Sequence, residues 1–312
     1  MVTHEALTLR GLRRADVAQA RRILETSEYT HYRFAPDELA RLIDLYPGVG
    51  AFSGASGALG RMLGGSLQAF AQVNEMAPPC AWIGGFGVTW SQGERYREYL
   101  ALLLAPLREA LLARAVTGLY YSGADYDTDW LREPLEALGF NLVSMLRSYD
   151  KSDYSVPSEG NQDVRVRPFQ PADAAPLAEL EKLCFDDLWR HDAQAFIEAA
   201  RTYPYFVVAE DDAGIVGYQF NIVDMKVGYL VRIATHPRAW GTGVGTRLMA
   251  EAVRYFQREN TWKIVLNTEE TNVRAHRLYE WFGFYVARPR GFALGLPLAP
   301  ALPAAPAPRG QG

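Results

Sequence analysis

Three glycines at alternate positions, Gly241, Gly243 and Gly245, separate the apolar, β-branched stretch Val231-Arg-Ile-Ala-Thr-His236 from the run Thr246–Glu259. In that run apolar residues recur at 248, 249, 252, 253 and 256, so the segment reads as strand, loop and amphipathic helix. Glycine keeps side chains away from the backbone, and the first turn of a helix has unpaired N–H groups, so such a loop suits an anion, most readily a phosphate. Other reactive residues offer less. His236 and His276 have no Ser or Cys at nucleophile-motif spacing, and His276 is placed on the outer face of its helix. Asp186 and Asp187, in Cys184-Phe-Asp-Asp-Leu-Trp189, would either receive a cationic amine or cap the helix that follows.

Which anion the loop takes depends on its flanks. A dinucleotide fingerprint requires Gly-x-Gly-x-x-Gly, and Thr246 occupies the last of those positions. The glycine-rich Gly54-Ala-Ser-Gly-Ala-Leu-Gly60 is followed by no Lys-Ser or Lys-Thr and is not a P-loop. With the preceding residues included, Arg238-Ala-Trp-Gly241-Thr-Gly243 resembles the coenzyme A pyrophosphate loop of the GNAT superfamily of acyl-CoA-dependent N-acyltransferases. Asn272-Val-Arg-Ala-His-Arg-Leu-Tyr279-Glu-Trp-Phe-Gly283-Phe284 resembles the second signature of that superfamily, in the same order, and the likeness covers Val164 to Ala287.

The resemblance implies acetyl-CoA as cosubstrate, no metal, and an amine acceptor. It assigns Arg238, Gly241, Thr242, Gly243, Val244, Gly245 and Thr246 to the pyrophosphate, and Ile233, Ala234 and Thr235 to the pantetheine arm on a strand edge splayed from the segment around Ile264. Asn272 would bond the arm or cap its helix, and Tyr279 would be the general acid for the departing thiolate. The base is less evident. Tyr229 and Asn267 stand where relatives carry glutamates, which leaves Glu269, or its neighbour Glu270, acting through water. The acceptor is read as a small-molecule amine, with a protein N-terminus or lysine as the alternative enzyme substrate. A non-catalytic acyl-CoA-binding module is the rival from another class.

These residues need a framework. The 312 residues, 49% hydrophobic, are enough for two cores. Val164-Arg-Val-Arg167 repeats the alternation of Leu7-Thr-Leu-Arg10, and Ala172-Asp173 repeats Ala15-Asp16, at one offset of 157 residues. Leu135-Glu-Ala-Leu-Gly-Phe140 matches Tyr279-Glu-Trp-Phe-Gly-Phe284 at an offset of 144. Two tandem α/β domains are therefore expected, each a mixed, mostly antiparallel central sheet flanked by helices. The order is a degenerate copy at 1–150, a linker at 151–163, a catalytic copy at 164–296 and a disordered Ala/Pro tail at 297–312. This order is similar to that of the mycothiol synthases. In the first copy Leu135 replaces the tyrosine, and Trp90-Ser-Gln-Gly-Glu-Arg-Tyr96 holds one glycine and a carboxylate where a phosphate would sit. The seven glycines between Pro47 and Gly65 suggest a loop.

Composition narrows the partners. A net charge of -4, with no basic cluster, gives no footprint for nucleic acid. Cys80 and Cys184 have no metal-ligand spacing, and no leader-like N-terminus or long apolar run is present, so a cytoplasmic protein without membrane contact is expected. Oligomeric state is left open.

Overall fold

The computed structural model describes residues 7–54 and 65–298. Contacts divide the chain into two compact units. One comprises Met1–Asn74, Ile83–Leu119 and Leu296–Gly312; the other comprises Glu75–Trp82 and Tyr120–Gly295.

The first unit contains β1 (Thr8–Gly11), α1 (Val17–Thr26), β2 (Thr30–Tyr32), α2 (Leu39–Leu45), β3 (Gly48–Ser53), most of β4 (Ser66–Ala77) and β5 (Cys80–Val88), and α3 (Tyr96–Leu112). Its strands follow the order β1-β3-β4-β5, with β2 antiparallel to β5. Ala20, Ile23, Leu24, Leu39, Phe52 and Phe70 make its core. The glycine-rich loop expected from Pro47 onward begins instead as a strand, because β3 lies under large neighbours. A Cβ at Gly48 would fall 2.0 Å from Gln72 Oε1, and one at Gly50 would fall 2.7 Å from Leu67 Cδ1. The remainder of that stretch, 55–64, lies outside the described residues.

The second unit contains β6 (Gly118–Gly123, from Tyr120), α4 (Arg132–Ala137), β7 (Asn141–Lys151), β8 (Arg165–Pro168), α5 (Ala174–Cys184) and α6 (Ala193–Thr202). It continues with β9 (Tyr205–Asp211), β10 (Gly214–Asp224), β11 (Val227–Thr235), α7 (Val244–Arg258), β12 (Lys263–Glu269), α8 (Val273–Trp281) and β13 (Tyr285–Pro297). The strand order is β6-β13-β7-β12-β11-β10-β9-β8. The neighbours from β8 to β11 are antiparallel, as are β12 with β7 and β7 with β13; β11 and β12 run parallel. Alternation along β9 separates the faces. Phe206 and Val208 pack with Leu177 and Leu180 of α5 and Phe196 of α6, whereas Val207 and Ala209 pack with Val244 and Leu248 of α7. Met249, Val253 and Phe256 of α7 join Tyr279 and Phe282 around α8, over Ile264 and Leu266. The last strand, β13, is long and carries an irregularity between Ala287 and Gly291. Of the stretch expected as a tail, Pro297 ends β13 and Leu298 is buried; 299–312 lie outside the described residues.

The sequence repeats correspond to repeated local structures. Arg10 grips Asp16 through two bonds of 2.7 and 2.8 Å, and Arg167 grips Asp173 through two of 2.7 and 2.9 Å. In each case the aspartate also takes a backbone N–H, from Arg13 or Gln170, at 2.8 Å. At the second offset, Gly139 and Gly283 both have positive φ, and Phe140 and Phe284 donate to the carbonyls of Leu135 and Tyr279. Each is a left-handed helix stop for which glycine is the suitable residue.

Burial raises the Asp173 pKa, but the Arg167 guanidinium and the Gln170 N–H outweigh it, so the carboxyl titrates below its usual range. A depressed folded-state pKa contributes stability above the unfolded value of 3.8, and that contribution is lost as pH falls through the folded value. Asp173→Ala should therefore destabilise the protein by about 2 kcal/mol at pH 7. Urea denaturation should show the gap between wild type and variant closing once the pH drops below 3.8; a gap unchanged into acid would refute the assignment.

Candidate active site

The site is organised by a pair of strands that part. β11 and β12 pair only at Val227–Lys263, Gly228–Ile264 and Tyr229–Val265. Beyond that point β11 stays paired with β10, and β12 with β7 as far as Glu269–Leu146. Between them, Leu230 to Thr235 keep an edge with no strand on it among the described residues, and the backbone groups of such an edge require partners. The expected splay at Ile233–Thr235 lies within this edge, which starts earlier, just after Tyr229. At the same level Phe220 faces Arg232 while Asn221 faces Leu230, so Val231 is an extra residue, a β-bulge that turns its backbone out of the ladder.

The free edge leads into the glycine loop. Several loop amides are already used: Arg238 N–H donates to His236 Nδ1, Ala239 to the His236 carbonyl, Trp240 to Pro237 and Thr242 to Ala239. Among the described residues the N–H groups of Gly241, Gly243, Val244, Gly245 and Thr246 have no acceptor, and they adjoin the N-terminus of the four-turn helix α7. Gly241 and Gly243 have φ of 77° and 85°, a left-handed backbone that lets successive amides point one way. Gly245 has no such conformational need, and a Cβ there would meet only Thr235 Oγ1 at 3.5 Å and Leu278 Cδ2 at 3.8 Å. What a side chain at 245 would fill is space beside the free amides.

The Arg238 guanidinium is not part of this nest. It forms two bonds to Asp211, of 2.6 and 2.8 Å, and that hydrogen-bonded pairing lowers the Asp211 pKa and raises that of Arg238. Beside them, a cavity of about 250 Å³ is lined by Asp163, Asp211 and Asp212 with Arg238; three carboxylates against one cation do not fit a phosphate. The segment read as a linker also reaches the loop. Asn161 N–H donates to the Gly243 carbonyl at 3.1 Å and Asn161 Nδ2 to the Thr242 carbonyl at 3.0 Å.

Tyr279, on α8, is buried, with its ring edge-on to Tyr149 at 5.6 Å. Burial holds its hydroxyl pKa well above the ordinary tyrosine value, so it keeps its proton, and it has no hydrogen-bond partner among the described residues. His276 is not on the outer face of α8. It is buried, its Nε2 lies 3.1 Å from the Glu270 carbonyl and its Nδ1 lies 2.8 Å from the Tyr149 hydroxyl. A carbonyl only accepts, so Nε2 carries a proton, while the Tyr149 hydroxyl also reaches Glu280 Oε1 at 3.3 Å. Asn272 is the helix cap: its Oδ1 takes the Ala275 N–H at 3.2 Å and its Nδ2 donates to Thr268 Oγ1 at 3.1 Å. Glu269 ends β12, accepts from Ser144 Oγ at 3.1 Å and is half-buried; Glu270 and Asn267 are exposed.

The other face of β11 carries a buried polar network. Glu181 of α5 receives the Tyr218 hydroxyl, Arg232 Nη2 at 2.5 Å and the His191 N–H at 2.9 Å. Arg232 also donates to Tyr218 at 2.9 Å and to the Trp189 carbonyl at 2.5 Å, and its guanidinium lies 4.0 Å above the Phe185 ring. This network ties the segment between α5 and α6 to the bulged strand. On that segment Trp189 stacks on Trp82 at 5.1 Å, and His191 Nε2 lies 3.0 Å from Glu75 Oε1. Cys184 offers no nucleophile: burial pushes its thiol up to about 11, and the thiol donates to the Thr235 carbonyl. Tyr149, Asn161, Glu75 and Trp82 escaped the sequence reading, because each meets its partner far along the chain and no local spacing marks such pairs.

The profile of the acetyltransferase (GNAT) family matches residues 174–284. A protein of Methanocaldococcus jannaschii described as an uncharacterized N-acetyltransferase is 30% identical over 121 residues, covering 38% of this chain and 76% of its own length. A mycothiol acetyltransferase of Frankia casuarinae is 29% identical over 111 residues, covering 32% of this chain and 31% of its own length. Among solved structures, a tandem GNAT protein from the clavulanic acid biosynthesis pathway shares the fold, with a TM-score of 0.61 over 95% of this chain and 100% of that one, at 15% identity.

The tether from 158–161 to the loop gives a direct test. Gly160 has φ of 69°, and a Cβ there would fall 2.3 Å from Arg247 N and 2.7 Å from the Gly243 carbonyl oxygen, both backbone atoms. Gly160→Ala should cost at least about 1–2 kcal/mol, the strain of a left-handed alanine before any clash. A denaturation midpoint equal to wild type would show that this segment does not rest on α7.

Proposed function

The chain belongs to the acetyltransferase (GNAT) family and is an N-acetyltransferase, and on that premise we propose that it moves the acetyl group of acetyl-CoA to the primary amine of a small molecule. One observation carries this reading. The parting of β11 and β12 after Tyr229–Val265 leaves a strand edge that runs directly into five unpaired amides, at Gly241, Gly243, Val244, Gly245 and Thr246. An amide-bearing arm can pair with such an edge while its pyrophosphate meets the amides at the end of it. The Asp211-bound Arg238 supports the loop as a brace; the phosphate contacts fall to the backbone.

In this reading Ile233, Ala234 and Thr235 hold the arm, and the bulged backbone at Val231 faces the thioester oxygen, where an N–H stabilises the charge that develops as the amine attacks. Tyr279 gives its proton to the departing sulfur, which its burial-raised pKa suits. Glu269, which receives Ser144, orders a water near the acceptor in this proposal. The Trp189–Trp82 stack and the His191–Glu75 pair narrow the approach on the acceptor face, which favours a small amine over a protein terminus. The chemistry is assigned to the copy at 164–296. The copy at 1–150 is non-catalytic in this proposal, since Leu135 replaces the acid and residues 90–95 wind into a 3-10 helix with Gly93 against the Tyr29 ring. A cytoplasmic location remains part of the same proposal.

Two variants test it. Gly245→Val should leave thermal stability nearly unchanged and weaken acetyl-CoA binding about tenfold, the equivalent of one lost hydrogen bond, as read by calorimetry. Tyr279→Phe should retain acetyl-CoA affinity while kcat falls by roughly 10²-fold, measured by free-thiol release with a panel of amines. Binding without turnover on any amine would convert the reading to a binding module, and no binding by wild type would remove the cofactor assignment altogether.

A further inference from the structure

We propose that His191, oriented by Glu75, is the base that takes the proton of the acceptor amine; the inference rests on the transferase reading above and supplies the group that reading lacks. The two motif positions for a base hold Tyr229 and Asn267, and the carboxylate of Glu269 already receives Ser144.

The position of His191 is fixed from three sides. Its backbone N–H donates to the buried Glu181, which also receives Tyr218 and Arg232, the latter the residue next to the bulge. Its ring lies parallel to Phe220 at 6.1 Å and edge-on to Phe196 at 5.7 Å. Phe220 faces Arg232 across the β10–β11 ladder, so the imidazole sits at the level of Val231, on the face opposite α7 and α8. In the transferase reading the arm lies along the free edge of β11, and the acceptor is assigned to the face that His191 covers.

The tautomer of the neutral ring follows from the partner. Nε2 lies 3.0 Å from Glu75 Oε1, and an ionised carboxylate only accepts, so the ring proton is on Nε2. Nδ1 is then a lone pair. It is buried and has no hydrogen-bond partner among the described residues. A buried acceptor without a donor is unfavourable in the protein alone, and the N–H of an amine is the donor that would satisfy it. The same arrangement, an imidazole with one nitrogen held by a carboxylate and the other left to accept, is that of a general base. Two neighbours on the segment, Trp189 Nε1 and Arg190 Nε, are buried donors without partners among the described residues. Trp189 stacks on Trp82, which in turn lies 5.4 Å from Tyr120, so an aromatic wall flanks the histidine for the body of the amine.

The step balances without another reagent. The amine nitrogen forms its bond to the thioester carbonyl carbon, and Nδ1 takes the proton released from nitrogen. The carbon–sulfur bond breaks with its electron pair on sulfur, which takes the Tyr279 proton. Solvent returns the proton from His191 to Tyr279, so the products are the amide and the free thiol.

The full-length protein would be assayed with acetyl-CoA and glucosamine, tyramine, cysteamine and an alanine-terminated peptide, reading thiol release and product mass. With the amine that wild type uses, His191→Gln should lose kcat by roughly 10²-fold or more while acetyl-CoA affinity is unchanged. His191→Gly should regain rate with added imidazole, and Glu75→Gln should show a smaller kcat loss. In 15N-labelled wild type, the His191 ring should carry its proton on Nε2. A protonated Nδ1, or a His191→Gln enzyme within threefold of wild-type kcat, would overturn the role of His191 and leave the transferase reading standing. Lowered stability in His191→Gly with no rescue by imidazole would mark a structural pair and overturn it equally. Acetyl-CoA binding without turnover of any of these amines by wild type would overturn the transferase reading itself, and this role with it.

Discussion

The early end of the β11–β12 pairing is the constraint on which the rest of the site depends. Two parallel strands that begin in register at Val227–Lys263 would ordinarily continue, since every further pair satisfies backbone groups. They part because β12 has a better-anchored partner on its other side. β7 pairs with it over six positions, from Ile264–Lys151 to Glu269–Leu146, and holds it while β11 follows β10. The strand that opens the site therefore comes from residues 141–151, outside the stretch that carries the motifs. The same strand supplies Tyr149, which packs against Tyr279 and bonds His276, so one element sets both the cleft and the posture of the proposed acid.

The face away from α7 is held by charge rather than by packing alone. Burying Glu181 and Arg232 is unfavourable unless each is fully bonded, and here Tyr218, the Trp189 carbonyl and the His191 N–H complete the set. The result links α5, β10, β11 and the covering segment through one carboxylate. Removing any member would leave a buried charge exposed to its neighbours' dipoles without compensation, so the network fixes where Trp189 and His191 stand relative to the bulge. That is positional information, obtained at the expense of the stability an apolar core would give.

Repetition of local structure does not carry function with it. The Arg10–Asp16 and Arg167–Asp173 grips have nearly the same geometry, as do the stops at Gly139 and Gly283. Yet the residue four positions before the glycine stop is Leu135 in one case and Tyr279 in the other, and the turn at 90–95 folds back onto itself while the turn at 241–246 leaves its amides open. Folding motifs depend on backbone geometry, which few substitutions disturb; a reaction depends on single atoms.

Much of this was legible in the chain. Hydrophobic periodicity placed α7 and α8, the alternate glycines placed the unpaired amides, and Tyr279 fell on the inward stripe of its helix, because those features arise between residues a few positions apart. The reading went astray where a distant neighbour decided the outcome. His276 was placed outside and is buried by Tyr149, the glycines at 48 and 50 were read as loop and make room for Gln72 and Leu67, and Arg238 was given to a phosphate and is taken by Asp211. The sequence by itself determined the elements, the loop and the inward place of Tyr279. Only the tertiary structure decided which strand edge is free and which side chains surround it, since a lone pair or an edge becomes available through what packs beside it, and those partners lie a hundred or more residues away.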